Sequence, residues 1–199
     1  MSHTTSMALK VALMEVAVAA IFSLALSARV PAGWYIAGSK PAEYEAGVDA
    51  SAVYKDHPSA YLKSKNPAVD GFGTLMQDFS AAKYAGKRIR LSANVKGEGV
   101  RSWAGLWMRV DKQSNSVAFD NMQDRPITGT MGWQNYAVVL DVPQDATGIF
   151  FGVLLTGPGN VWLNGVKVEV VGSDIPTTGA SAGTKKRRDE PTNLDFTER

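Results

Sequence analysis

Residues 103–111, "WAGLWMRVD", carry the side chains of this chain that are best suited to binding a ligand. Alternate residues of a β-strand point to opposite faces. One face of this stretch is aliphatic and consists of Ala104, Leu106, Met108 and Val110. The other face carries two indoles and a charged pair, namely Trp103, Trp107, Arg109 and Asp111. We predict that the aliphatic face lies in the core and that the indoles point outward.

An aromatic face beside a cation and a carboxylate suits a sugar, because ring C–H groups stack on indoles and charged groups bind hydroxyls. The planar amides and carboxylates that such a site also uses are supplied by Gln77, Asn94, Asp120 and Asn121. The sequence therefore predicts a carbohydrate or small polar ligand on this face. Two alternatives stay open: the loop of residues 39–58 covers the tryptophans, or a protein partner does. We expect Trp133 and Trp162 to pack in the core.

Catalytic and metal-binding residue types are scarce in this sequence. It has no cysteine, and its two histidines are His3 and His57, which leaves little from which to build a zinc site or a histidine triad. A glycosidase would need two paired carboxylates. The candidates, none of which lies in a motif that demands such a pair, are Asp70, Asp78, Asp111, Asp120 and Asp124. No phosphate loop or EF-hand spacing occurs. We predict a non-catalytic domain without a cofactor, and leave open a calcium ion held by backbone carbonyls and one or two carboxylates.

The composition is that of a soluble globular protein. The chain has 199 residues, 45% of them hydrophobic and 20% charged, with a formal net charge of +2. This length allows one ordinary domain with appendages. So small a net charge gives no field that would indicate nucleic acid as a partner.

Between residues 33 and 172 the sequence consists of short alternating runs separated by Gly, Pro, Asn and Asp. Ten strands are predicted, at residues 33–38, 43–49, 59–65, 73–80, 87–97, 103–111, 116–122, 133–142, 147–157 and 160–171. No run after residue 30 has the apolar period of an α-helix, although "FSAAKYAGK" can form one turn. Many short strands without helices predict an all-β antiparallel sandwich. The apolar run "GIFFGVLL" predicts a central strand that is covered on both faces.

The two ends differ from this middle part. Residues 1–28 combine a polar start with an apolar run and small residues near position 28, as in an export signal, although Glu15 interrupts the run. We expect a periplasmic or secreted protein; an uncleaved inner-membrane anchor and an amphipathic helix are the alternatives. Residues 173–199 are polar and without period, which predicts a disordered tail. Its basic tetrad could contact phosphate or anionic lipid and consists of Lys185, Lys186, Arg187 and Arg188.

The order of the motifs resembles the jelly-roll carbohydrate-binding modules of galactose-binding-like fold. The motifs are "SAYLKSK", "GTLMQDF", "YAGKRIRLSANVK", "WAGLWMRVD", "WQNYAVVLDVP" and "VWLNGVKVEVV". More closely, "GWYIAGSKPAEYEAGVD", "GFGTLMQDF", "GLWMRVD" and "FDNMQDRPITGT" resemble a small bacterial family of uncharacterised domains. Its members occur alone, sometimes behind a signal peptide, or attached to AraC-type helix-turn-helix regulators. The resemblance covers residues 33–171 and implies a jelly roll and, by analogy of fold, sugar binding. Asn164 stands where these modules often carry the Asp associated with their structural calcium.

Three functions follow from these observations. The first is an exported, non-catalytic module that holds a glycan on its sheet face. The second is an interaction or envelope-structural domain, or a stand-alone relative of a regulator-associated sensing domain, whose aromatic patch contacts another protein or a second copy. The third and least supported is an enzyme, because no carboxylate pair is specified by a motif.

Overall fold

Nine β-strands without an α-helix make up residues 30–179, the part of the chain described by the structure, a computed structural model. The strands are β1 (Tyr35–Gly38), β2 (Tyr44–Tyr54), β3 (His57–Ser64), β4 (Phe72–Ser80), β5 (Arg88–Lys112), β6 (Asn115–Asp120), β7 (Ile127–Asp141), β8 (Gly148–Thr156) and β9 (Asn160–Val171). Two 3-10 turns, Pro41–Glu43 and Ala81–Lys83, complete the fold. The all-β prediction is confirmed, and so is the single turn expected in "FSAAKYAGK".

Strand β5 belongs to both layers of the sandwich. Its second half pairs with β8 and β6, and its first half pairs with β7 and β9. We call the layer with order β1-β4-β8-β5-β6 the front sheet, and the layer with order β7-β5-β9-β3-β2 the back sheet. The strand turns between its halves at register shifts near Gly97 and Gly99, where Gly99 has a φ of 59°.

The core lies between the two sheets and is built by alternation along the strands. In the first half of β5, Ile89, Leu91, Ala93 and Val95 are at most 1% exposed. In its second half, Ala104, Leu106, Met108 and Val110 are buried against the same cluster. The aliphatic face predicted for residues 103–111 is therefore the core face. Strand β8 lies between β4 and β5, as its two-sided apolar pattern predicts.

Three differences from the predicted strands exceed two residues. The runs at 87–97 and 103–111 are one strand, because β5 bends instead of ending at the glycines between them. Strand β7 begins at Ile127, so it includes most of "RPITGTMG", which reads as a break but pairs with the bend of β5. Strand β2 extends to Tyr54 through a register shift after Asp49.

Residues 173–179, the start of the predicted disordered tail, lie along the edge strand β7. The Thr178 backbone N–H donates to the Val139 carbonyl over 3.0 Å, and the Val139 N–H donates to Thr178 Oγ1 over 2.8 Å. Arg88 Nη1 donates to the carbonyls of Ser173 and Ile175 at 2.9 and 2.6 Å. The prediction of disorder is thus wrong for these seven positions, because the free edge of β7 gives their backbone partners.

The remaining terminal predictions concern residues outside the described part. The expected export signal or anchor at 1–28 and the tail from 180 onward, with its basic tetrad, fall there. Within residues 30–179 no helix has the length and apolar character needed to cross a bilayer.

Candidate functional site

The outer face of the front sheet holds the two predicted indoles, but one of them is buried. Trp107 is 6% exposed and packs with Met76 and Leu154 in a small cluster separate from the main core. Its Nε1 donates to Thr74 Oγ1 over 2.7 Å. The prediction of an exposed indole is wrong at Trp107, because neighbours on β4 and β8 enclose the ring from the sides. Trp103 is half-buried at the margin of this cluster.

The charged pair of this face is engaged within the protein. Arg109 Nε and Nη2 donate to the two Asp111 carboxylate oxygens at 2.9 and 2.8 Å. The guanidinium also lies 4.5 Å from the Phe150 ring centroid. Only 9% of the Asp111 side chain is exposed. The pair therefore covers an aromatic ring, and its hydrogen-bonding groups are largely occupied.

Three of the remaining predicted residues also have structural partners. Gln77 lies opposite the core residue Phe151, and its Nε2 donates to the Gly33 carbonyl over 3.1 Å. Asn121 Oδ1 accepts the backbone N–H of Gln123 over 3.2 Å. Asp120 is 5% exposed and is described next.

Asp120, the last residue of β6, connects the β6–β7 loop to the C-terminal segment. Its carboxylate accepts hydrogen bonds from Arg125 Nη2 and Thr178 Oγ1, both at 2.5 Å, and from the Met122 N–H at 2.8 Å. Burial raises the pKa of Asp120, but the hydrogen bonds from Arg125 and Thr178 outweigh it and hold the pKa below its usual value. This geometry assigns Asp120 to stabilising the fold.

Asn94, the eighth predicted residue, lies on the other sheet. It faces outward from the first half of β5, opposite Asn135 on β7 and Asn164 on β9. The eight predicted residues are thus not brought together. Asn94 points to the outer face of the back sheet, whereas Gln77 and Asp120 lie opposite the core residues Phe151 and Met108.

A row of side chains crosses the back sheet on this outer face. Lys96 is paired in register with Trp162, Trp162 with Tyr61, and Tyr61 with Gly47. Both aromatic side chains are half-buried, so part of each ring remains accessible. Trp162 and Tyr61 are directly opposed on neighbouring strands, where side chains on one face are neighbours, and we call these two residues the aromatic strip.

Trp162 is held in place from its polar end. Its Nε1 donates to Asp49 Oδ2 over 2.8 Å, while Asp49 Oδ1 accepts from the Ser51 hydroxyl at 2.6 Å and from the N–H groups of Ser51 and Ala52. The Ser51 and Trp162 hydrogen bonds lower the pKa of Asp49 from 3.8 to about 2. The carboxylate is therefore ionised at neutral pH and positions the indole. Lys96 Nζ lies 4.8 Å from the Trp162 ring centroid.

A row of amides runs beside the aromatic strip. Asn135 Nδ2 donates to Asn94 Oδ1 over 3.3 Å. Asn164 Nδ2 donates to the carbonyls of His57 and Pro58 and to Ser59 Oγ, over 3.0 to 3.2 Å. Asn164 thus joins β9 to the start of β3 as a neutral donor. Asn94 Nδ2 and Asn135 Oδ1 have no hydrogen-bond partner within residues 30–179.

An aromatic contact connects the two edges of the back sheet. Tyr54, at the tip of the β2–β3 hairpin, lies 5.2 Å from Trp133 of β7 between ring centroids. Because β2 and β7 are opposite edges of this sheet, the contact requires strong curvature and a hairpin that leans toward β7. Trp133 and Trp162 are absent from the core clusters, so the expectation that both pack in the core is wrong. We call the surface formed by Lys96, Trp162, Tyr61, Asn94 and Asn135 the back-sheet groove.

The sequence contains a signal for this groove. In "NVWLNGVKV" the residues Val161 and Leu163 are buried, and the alternate positions Trp162 and Asn164 face outward. The parity rule applied to residues 103–111 thus works here too. Parity does not predict that β9 pairs with β5 on one side and with β3 on the other. This pairing places Lys96 and Tyr61 on either side of the indole. Within residues 30–179, no three His, Cys, Asp or Glu side chains are grouped to hold a metal ion.

The fold of the described part has clear counterparts among solved structures. The xylan-binding CBM22-1 domain of Xyn10C from Paenibacillus barcinonensis matches 72% of this chain and 89% of its own, with a TM-score of 0.52 and 14% identity. An apo form cyclase from Fischerella sp. matches 73% of this chain and 86% of its own, with a TM-score of 0.53 and 12% identity. The fold is an all-β jelly roll. At such identities the jelly roll is shared with a binding module and an enzyme alike, so the fold alone does not define an activity.

The sequence comparison gives a nearer relative. No family model matches the chain. Over 168 residues, 83% of its length, the chain is 47% identical to "Uncharacterized HTH-type transcriptional regulator YbfP" of Bacillus subtilis (strain 168). The chain spans 57% of that relative's length. The resemblance to jelly-roll modules and to regulator-associated domains is therefore confirmed at the level of fold and sequence relationship.

Proposed function

We propose that this jelly roll is a non-catalytic carbohydrate-binding domain that holds its ligand in the back-sheet groove. The observation that carries the proposal is the cross-strand pair of Trp162 and Tyr61, two partly exposed aromatic residues opposed in register on one sheet face. Sugar rings stack on such rings through their C–H faces. Asn94 and Asn135 supply unpaired amide groups beside them for hydroxyls. The xylan-binding domain of the same fold supports a polysaccharide ligand.

The proposal is tested by affinity electrophoresis of the full chain on soluble xylan, β-1,4-galactan, mixed-linkage β-glucan and polygalacturonate. We expect at least one polymer to retard the protein, and Trp162→Ala and Tyr61→Ala each to weaken retention by about tenfold, since a stacked ring contributes about 1 kcal/mol or more. Wild-type migration unchanged by every polymer, or equal retention of wild type and Trp162→Ala, would overturn it.

Trp103→Ala is the matched control, because it removes an equally large, half-buried ring from the opposite sheet. In the proposed arrangement this variant binds as the wild type does. The sequence prediction of a site around Trp103, Trp107 and Arg109 requires the reverse: loss in Trp103→Ala and no change in Trp162→Ala. The same pair of variants therefore decides between the two faces.

We include export in the proposal, with residues 1–28 as the export signal. Mass spectrometry of the protein from cell fractions tests this. A periplasmic or secreted form that starts near residue 29 supports export, and an intracellular chain that retains residues 1–28 contradicts it.

A second candidate function is a sensing domain that passes ligand binding to another protein. The 47% identity to a helix-turn-helix regulator favours it. In this case the groove binds the same class of ligand, and ligand binding changes how the domain interacts with a partner protein. Cross-linking in cells, with and without the polymer that binds best, would support this candidate if a partner is captured only in one of the two states.

A further inference from the structure

Lys96 occupies an unusual position in the back-sheet groove. Its Nζ lies 4.8 Å from the Trp162 ring centroid, so the ammonium takes up part of the surface on which a sugar would stack. No Asp or Glu oxygen lies within 4.0 Å of it, and no hydrogen-bond acceptor contacts it, within residues 30–179. The contact that favours the positive charge of this ammonium is the cation–π contact with the indole face. A ligand that stacks on Trp162 must therefore displace this ammonium or pair with it.

The nearby carboxylates do not compensate Lys96. Both oxygens of Asp49 are occupied, one by Trp162 Nε1 and the other by Ser51 and Ala52. Glu45, one row further along, lies 3.8 Å from Lys63 Nζ. Glu98, two positions along β5 on the same face, lies farther than 4.0 Å from Lys96 Nζ and has no ion-pair partner within residues 30–179. The three ammonium donors of Lys96 are thus an uncommitted positive group beside Trp162.

These contacts should give anionic sugars a higher affinity than neutral sugars. A neutral ring that stacks on Trp162 loses the cation–π contact of Lys96 and gives the ammonium only hydroxyl groups in return. A ring with a carboxylate replaces that contact with a charge-assisted hydrogen bond and can stack at the same time. We infer that the groove selects an acidic sugar, a uronic acid whose carboxylate pairs with Lys96 while its ring lies on Trp162. This inference rests on the proposed function and specifies its ligand class.

The test compares two ligands of the same ring and linkage, β-1,4-glucotriose and β-1,4-triglucuronate, by calorimetry with the full chain. We expect the triglucuronate to bind wild type about tenfold more tightly, a difference that is lost as NaCl rises from about 0.05 to about 0.5 M. Lys96→Met keeps the aliphatic stem and removes the charge. In this variant the acidic trimer binds about tenfold more weakly, and the neutral trimer binds at least as well as to wild type.

Lys63→Met is the matched control, since it removes the same charge from the same face one row away. It should leave the preference for the acidic trimer in place, and Lys96→Arg should restore it. Equal affinity for both trimers in wild type, or a parallel loss for both in Lys96→Met, overturns the inference and leaves the proposed function standing. If neither trimer binds, the inference also falls, and the polysaccharide panel then decides the proposed function separately.

Discussion

The outer faces of the two sheets carry similar residues and use them differently. Each has a tryptophan whose Nε1 donates to a side-chain oxygen, and each has a cation over an aromatic ring. On the front sheet the acceptor is Thr74 and the indole of Trp107 is 6% exposed. On the back sheet the acceptor is Asp49 and the indole of Trp162 is half-buried.

The neighbours in the plane of each sheet account for the difference. Trp107 is surrounded by apolar side chains from β4 and β8, with Trp103, Phe150 and Phe72 at the margin of the cluster. Trp162 is flanked by Tyr61 and Lys96, with amides in the next row. An outward indole is therefore a binding surface only where its lateral neighbours leave the ring accessible. The front face stabilises the fold, and the back face is the candidate site.

Replacing each tryptophan by alanine should give the largest separation between the faces. Trp107→Ala should lower the free energy of unfolding by about 3–5 kcal/mol, as expected for removal of a buried large aromatic side chain. Trp162→Ala should lower it by about 1–2 kcal/mol, because the ring is partly solvated and its Asp49 partner stays exposed to water. Urea denaturation measures both values. Equal losses would contradict the assignment of one face to stability and the other to binding.

Removing the hydrogen-bond acceptors of the two indole N–H groups should lower the free energy of unfolding less than removing the indoles does. The front-sheet variant should again lose more than the back-sheet variant. Thr74→Val should cost about 1–3 kcal/mol, since it leaves the buried N–H of Trp107 without a partner. Asp49→Ala should cost about 1 kcal/mol or less, because water can reach Trp162 Nε1. The control is the double variant Thr74→Val, Trp107→Phe, in which no N–H remains to be satisfied. It should be less destabilised than the sum of its single variants, and strict additivity would count against the hydrogen bond.

The smallest expected effect is a pH dependence that distinguishes the surroundings of Trp162 from those of Trp107. The folded-state pKa of Asp49 lies at about 2, below its ordinary 3.8, so its contribution to stability is present above about pH 4 and is lost as the pH falls toward 2. The Nε1 proton resonance of Trp162 should shift with a midpoint near pH 2. The resonance of Trp107, whose acceptor is a hydroxyl, should not show this titration. Asp49→Asn is the control, and a Trp162 titration that survives in it would contradict the assignment.

Most of the fold could be predicted from the sequence, because the alternation of apolar and polar residues along a strand indicates which side chains are buried. The runs around Ile89 and Leu106 have the aliphatic face inward that the structure shows. The merging of two predicted strands into β5 was not predictable in this way. Glycines usually signal a break, and here Gly97 and Gly99 bend a strand that continues to pair with β7.

The site was less predictable, for a specific physical reason. Parity assigns Trp107 and Trp162 equally to outer faces, but their accessibility depends on which strands lie beside them. Asn94, Lys96 and Tyr61 reach Trp162 only through the pairing of β5, β9 and β3, which connects distant parts of the chain. Local sequence indicates which residues share a face, and the strand order decides which of them share a site.

The 25-residue strand β5 makes the two faces parts of one cooperative unit. Its first half underlies the back-sheet groove and its second half carries Trp107, so both layers depend on the same strand. A sugar bound to one layer would therefore slow amide hydrogen exchange in the other, including the backbone around Trp107. Slower exchange around Trp107 would then show that a ligand is bound to the other sheet, even if the structure of the protein did not change.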